Sequence, residues 1–260
     1  MHLSLAALAT IALSISASAQ VTVDVGPDPS PVGCTVYASV TNDTELIMGI
    51  GGCPWRILDG DGLVVFDADC LIQELLIGPI GTIDYGWDQR DEAGNQVPAG
   101  DYLFEVATPI GLVSTPFTVG GIDANLFVQG TAALGTDVIG FGGREIALCS
   151  PLDPGGLYQV LLSGSLGAGI DVCGQSIALT PDALFSATLA GATIPSAFGV
   201  LDATGQSLAP KLPIPDVPGL VGLDLYLAFV VLDPSAPCPV VRSSPTFQTT
   251  VVPGPQPFGS

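Results

Sequence analysis

The chain has 260 residues, 48% hydrophobic and only 12% charged, with 33 glycines, 23 prolines and a formal net charge of −20. A surplus of 25 acids over 5 bases repels nucleic acid and anionic lipid and excludes both as natural partners. His2 is the only histidine and Lys211 the only lysine. Once His2 is removed, no Ser-His-Asp or Cys-His relay and no histidine-ligated zinc, copper or iron site can form.

Leu3 to Ile15 form an apolar run, and Ala17-Ser18-Ala19 offers a small-x-small cleavage site. This is the form of a secretory signal, too short to span a bilayer. Cleavage is expected after Ala19, removing His2 and leaving a mature chain that starts at Gln20. Scarce helix formers, frequent Gly and Pro, and short runs rich in Val, Ile, Thr and Leu predict an all-β protein.

Seven strands are expected in the first half: "TVYASV", "PWRIL", "GLVVF", "CLIQELLI", "TIDYGW", "DYLFEVA" and "VSTPFTV". Their spacing predicts an immunoglobulin-like β-sandwich over residues 20–120. "TVGGIDAN" (118–125) marks the boundary. A second β-sandwich is expected over 121–252, with strands "REIALC", "LYQVLLSG", "QSIALT", "ALFSATLA", "AFGVLDA", "SLAPKLPI", "LDLYLAFVVL" and "TFQTTVV". Residues 253–260 are expected to form a flexible tail. The longest apolar run, "GLVGLDLYLAFVVL" (219–232), contains Asp224 and falls short of the ~20 residues a spanning helix needs, so it reads as a buried strand.

Six cysteines in an exported chain imply disulfides. The expected pairs are Cys53–Cys70, closing a hairpin, and Cys173–Cys238. That leaves Cys34 and Cys149 as either a cross-domain bridge or two free thiols.

"WDQRDEAGNQVPAGDYLFEV" (87–106) sets Asp88, Asp91, Glu92 and Asp101 around a tryptophan. Gly94-Asn95 and Pro98-Ala99-Gly100 are turn formers, so the acids read as solvated loop edges, with Trp87 and Tyr102 in the core. A carboxylate-only hydrolase using Asp88 or Asp91 is a remote alternative, because it needs two acids at a fixed separation beside a sugar-sized cleft. "LDGDGLVVFDAD" (58–69) resembles the first half of a calcium loop, which makes Asp59 and Asp61 weak calcium candidates. Leu63 stands at the third ligand position and Cys70 at the twelfth, so a hairpin turn is preferred. Asn42-Asp43-Thr44 matches the N-glycosylation sequon and also reads as a turn. Arg56, Arg90, Arg144 and Arg242 are spread singly and form no anion patch, and no cofactor motif is present.

The order "VTNDTE … CPWRILDGDGLVVFDADC … WDQRDEAGNQVPAGDYLFEV" resembles the BsuPI family of immunoglobulin-like domains, named after an intracellular proteinase inhibitor. The closing W-D…G…V-P-A-G-x-Y is also similar to the immunoglobulin-like domain of flagellar hook-capping proteins. The second half, through "LDATGQSLAPKLPIPDVPGLVG", is similar to an uncharacterised module of secreted planctomycete proteins. The first resemblance implies an immunoglobulin-like sandwich, from whose intracellular namesake the chain departs in its signal segment and expected Cys53–Cys70 bridge, and the second implies secretion and a β fold. The expected function is a secreted, non-catalytic binding or structural protein with a protein or polysaccharide partner. The alternative is a secreted proteinase inhibitor acting on a protease through "GIGGCPW" (49–55).

Overall fold

A computed structural model of the chain describes residues 21–44, 47–50, 54–68, 75–78, 81–130 and 144–253. The expected signal segment, Cys70, residues 51–53 of "GIGGCPW" including Cys53, and residues 254–260 lie outside the described residues, and with them the expected Cys53–Cys70 pair and nearly all of the tail.

In the first half β1 (Val21–Gly26), β2 (Val36–Asn42), β3 (Met48–Ile50), β4 (Trp55–Asp59), β5 (Val64–Asp67), β6 (Leu75–Ile77), β7 (Thr82–Trp87), β8 (Gly100–Thr108) and β9 (Gly111–Val119) follow one another. They build one sheet in the order β1-β2-β7, a facing sheet in the order β5-β4-β8-β9, and a β3-β6 pair. The two sheets form an immunoglobulin-like sandwich. Trp55, at the start of β4, is buried and stacks on Phe104 of β8 with ring centroids 5.6 Å apart. Tyr102 near the start of β8 donates its hydroxyl to Pro98 O at 2.7 Å, the tyrosine corner of this fold class. Trp87, Tyr102 and Phe117 interlock at 5.7–6.0 Å, so Trp87 and Tyr102 sit in the core as the sequence indicates. Pro116 is tolerated because β9 lies at the sheet edge.

In β1, Val21 and Val23 face this core while Thr22 and Asp24 point outward. By the same alternation Ser39 and Thr41 of β2 point outward, yet both are buried. Gly130 of the second half covers Ser39.

There β10 (Asn125–Val128), β11 (Arg144–Cys149), β12 (Leu157–Ser163), β13 (Leu166–Val172), β14 (Gln175–Leu179), α1 (Ala183–Leu189), β15 (Phe198–Val200), β16 (Gln206–Ser207), β17 (Lys211–Leu212), β18 (Asp224–Leu232), β19 (Val240–Ser243) and β20 (Phe247–Thr250) form the second sandwich. The sheet carrying β10-β11-β16, with β17 also on β11, faces the sheet carrying β15-β12-β18-β19, with β20 also on β18. Val160, Leu162, Leu227 and Phe229 meet Leu126, Ile146 and Leu148 between these sheets. On the opposite face of β12 and β18, Leu161, Ala228 and Val230 pack under Ile177, Leu179 and Phe185 of the β13–β14 hairpin and α1. Covered on both faces, β18 needs apolar residues at successive positions, which accounts for "LDLYLAFVVL". Among the described residues no helix is long and apolar enough to cross a membrane.

One expected strand is a helix. "ALFSATLA" forms α1 because Asp182 caps it, its Oδ1 accepting the Phe185 N–H at 2.8 Å, and because Phe185 and Thr188 then fall on the buried side. Burial pushes the Asp182 carboxyl up, but hydrogen bonds from the Phe185 and Gly164 N–H groups and the Ser163 hydroxyl outweigh it and hold the group below its ordinary 3.8. A depressed folded value contributes stability above the unfolded pKa that is lost as pH falls through the folded one. Asp182→Ala should therefore cost about 1–2 kcal/mol at neutral pH. Urea midpoints should show the variant converging on the parent below about pH 4; a cost that persists unchanged into strong acid would contradict the capping account.

Among the described residues two disulfides are present, Cys34–Cys149 and Cys173–Cys238. The second is the expected pair. It ties the β13–β14 turn to the segment before β19. The first settles the open alternative for Cys34 and Cys149: they are a bridge between the two sandwiches. Such cross-links mark an oxidising, non-cytoplasmic environment.

Candidate functional site

The acidic stretches resolve into three copies of one turn. In Asp59-x-x-Gly62-Leu63, Asp91-x-x-Gly94-Asn95 and Asp202-x-x-Gly205-Gln206, the leading aspartate Oδ1 accepts N–H groups two and four residues ahead at 2.8–3.0 Å. The aspartate N–H closes each loop on the carbonyl four residues on, and the glycine stands at φ of +78 to +81°. Only glycine takes that conformation without cost. Hydrogen bonds from Asn95, backbone first and then side chain, draw the Asp91 carboxyl below its ordinary value. At Asp202 burial works the other way, but hydrogen bonds from Gln206 and Thr204 prevail and the group is also lowered.

These carboxylates are committed to turns. Asp88 accepts the Arg90 N–H at 3.2 Å, and Asp101 the Thr118 hydroxyl at 3.1 Å. Asp88, Asp91 and Asp101 thus serve separate local roles. Asp59 staples its turn while Asp61 is exposed on it, and no grouping of three metal-ligating side chains occurs among the described residues.

Asn42 of the sequon is fully buried. Its amide nitrogen donates to Ile77 O and Gly78 O at 3.3 and 3.1 Å, and its Oδ1 accepts from the Thr44 backbone and hydroxyl. In the fold it is a turn lock.

Gln89 is the residue that sequence reasoning missed. It lies in the opening acidic stretch, is fully buried, and takes φ +60°. Its Oε1 accepts the Gly33 N–H at 2.8 Å, and its Nε2 donates to Ser30 Oγ at 2.9 Å and Pro31 O at 2.8 Å. It thereby holds the loop that carries Cys34. The clue in the sequence was only that a glutamine stands in a turn crowded with better turn formers.

From that loop the junction spreads. Beside the disulfide, Gln206 Oε1 accepts the Thr35 N–H at 2.9 Å, and Asn125 Nδ2 donates to Pro29 O at 2.7 Å. Phe127 lies flat over Gly26, where any Cβ would collide with its ring. The outward row Asp24–Ser39–Asp84 runs across β1, β2 and β7. Ser39 Oγ donates to Asp84 at 2.5 Å and accepts the Gly130 N–H at 2.8 Å.

Along the margin of this junction opens a cleft of about 480 Å³. One wall comes from the first sandwich, with Val23, Asp24, Asp28 and Thr115; the other comes from the second, with Phe127, Phe247, Gln248 and Thr250. Phe127 and Phe247 meet edge to face at 5.7 Å. Asp28 Oδ1 accepts the Thr118 N–H at 2.9 Å. The Asp24 carboxyl is raised above its ordinary value by desolvation, with the charge of Asp43 adding to it. A volume of this order, lined by Phe247 together with polar and acidic groups, suits ligand binding.

No family model and no curated protein matches the chain. Among solved structures it is similar to red sea bream transglutaminase at 10% identity and TM-score 0.30, covering 90% of this chain and 31% of that one. A Salmonella alpha-2-macroglobulin mutant gives 15% identity and TM-score 0.28, over 90% and 14% of the two chains. The periplasmic chaperone SfaE gives 11% and 0.27, over 90% and 99%. The chain spans about a third or less of the first two.

Proposed function

We propose that the chain is a secreted, non-catalytic binding module of the cell surface or extracellular space, exported on a signal peptide cleaved after Ala19. Its partner, a protein or a polysaccharide, seats in the cleft between the sandwiches. The observation that carries this reading is that both walls of the cleft are fixed relative to each other by the Cys34–Cys149 bridge and the hydrogen bonds around it. A preformed surface loses little entropy on binding. Asp59, Asp91 and Asp202 are occupied in turns and the mature chain has no histidine, which favours binding over turnover.

A pull-down from the native secretome with Gln20–Ser260, disulfides verified by mass, tests the proposal. Envelope proteins or polysaccharide retained without chemical change are the expected result. Repeated recovery of a protease that the purified chain inhibits would replace this reading with that of a proteinase inhibitor.

A further inference from the structure

The charge around the cleft points to what it holds, given the reading of the cleft as the binding surface. Asp24 and Asp28 lie on one wall, and no lysine or arginine lines either. The basic side chains are engaged elsewhere: Arg56 with Glu105, Arg90 with Asp88, Lys211 with Glu145, and Arg242 with Asp123 and Asp153. Arg144, half-buried, lies within the field of Asp84. Among the described residues Asp24 accepts no hydrogen bond and forms no ion pair, and it shares the cleft lining with Phe247. A protein of net charge −20 also steers cations toward itself.

We propose that the cleft binds an alkylammonium group, its charge against Asp24 and Asp28 and its methylene chain over Phe247. A phenyl ring accepts both parts of such a ligand: its face attracts the cation and its body packs the chain. The group could be carried by a free polyamine or by a lysine side chain of a protein partner.

Calorimetric titration of the disulfide-intact mature chain in physiological salt separates these sources. The probes are spermidine, Nα-acetyl-lysine methylamide, the same amide acetylated at Nε, and a neutral cello-oligosaccharide. Saturable one-to-one binding of either ammonium probe is expected, at least tenfold weaker in Asp24→Asn and unchanged in Asp61→Asn, with no binding of the Nε-acetylated amide. Tighter spermidine binding would identify a free polyamine, and tighter binding of the lysine amide a protein partner.

Equal weakening by Asp24→Asn and Asp61→Asn would reveal diffuse counterion attraction and overturn the proposal. Saturable binding of the oligosaccharide alone, lost in Phe247→Ala, would overturn the ligand class while leaving the cleft as a binding surface. If no probe binds, the ammonium proposal falls, and the cleft reading then stands or falls on the secretome capture.

Discussion

Replacing Cys34 and Cys149 together by serine is expected to lower the stability of the mature chain by about 4–5 kcal/mol. The bridge closes a loop with a sequence separation of 115, and chain-entropy arguments assign roughly that value to loops of this size. Both sulfurs are buried, Cys34 at 0% and Cys149 at 4% exposure, so the cross-link is shielded from reductants until the junction opens. The remaining contacts across the junction are chiefly polar: Thr35 to Gln206, Asn125 to Pro29, and Gly130 to Ser39. Each contributes about 1 kcal/mol net, too little to hold two sandwiches together as firmly as the bridge. Urea unfolding should show the midpoint fall and the single transition spread into two. An unaltered midpoint would mean that the polar contacts alone suffice.

Gln89→Ala should cost about 3 kcal/mol. The substitution strips the fully buried Ser30 Oγ of its donor, removes one of the donors to Pro31 O, which keeps the Cys34 N–H, and takes the acceptor from the Gly33 N–H; each buried group left unsatisfied costs about 1–3 kcal/mol. For a chain of this size that corresponds to a fall of roughly 10 °C in Tm. The backbone provides an internal check. With φ at +60°, a residue without Cβ fits this position better, so Gln89→Gly should lose about 1 kcal/mol less than Gln89→Ala despite removing the same hydrogen bonds. Equal losses in the two variants would show that the left-handed backbone carries no cost here.

Much of the fold could be read from period-two patterns and turn residues. Asp59-x-x-Gly62 and Asp91-x-x-Gly94 announce their hairpins because an aspartate that accepts two N–H groups and a glycine at positive φ are what such a turn requires. The helix α1 was hidden because "ALFSATLA" also alternates, although Pro181-Asp182 before it is a helix start. Strand β1 escaped notice because "VTVDVG" follows directly on the expected signal segment, and β10 because "NLFV" is short and buried throughout. The junction was the least legible part. Ser39, Asp84 and Asn125 read as ordinary surface residues, and only the approach of a second sandwich buries or pairs them. Pairing of Cys34 with Cys149 likewise depends on tertiary placement, which local sequence does not encode.

The account turns on recognition at the cleft between two locked sandwiches. Hydrogen–deuterium exchange of the mature chain, alone and with the partner captured from the secretome, tests this most directly. Slowed exchange at β1, β9, β10 and β20 is the predicted result. Protection confined to residues 49–55 or to the Asp88–Asp101 turn, with the cleft strands unchanged, would contradict it.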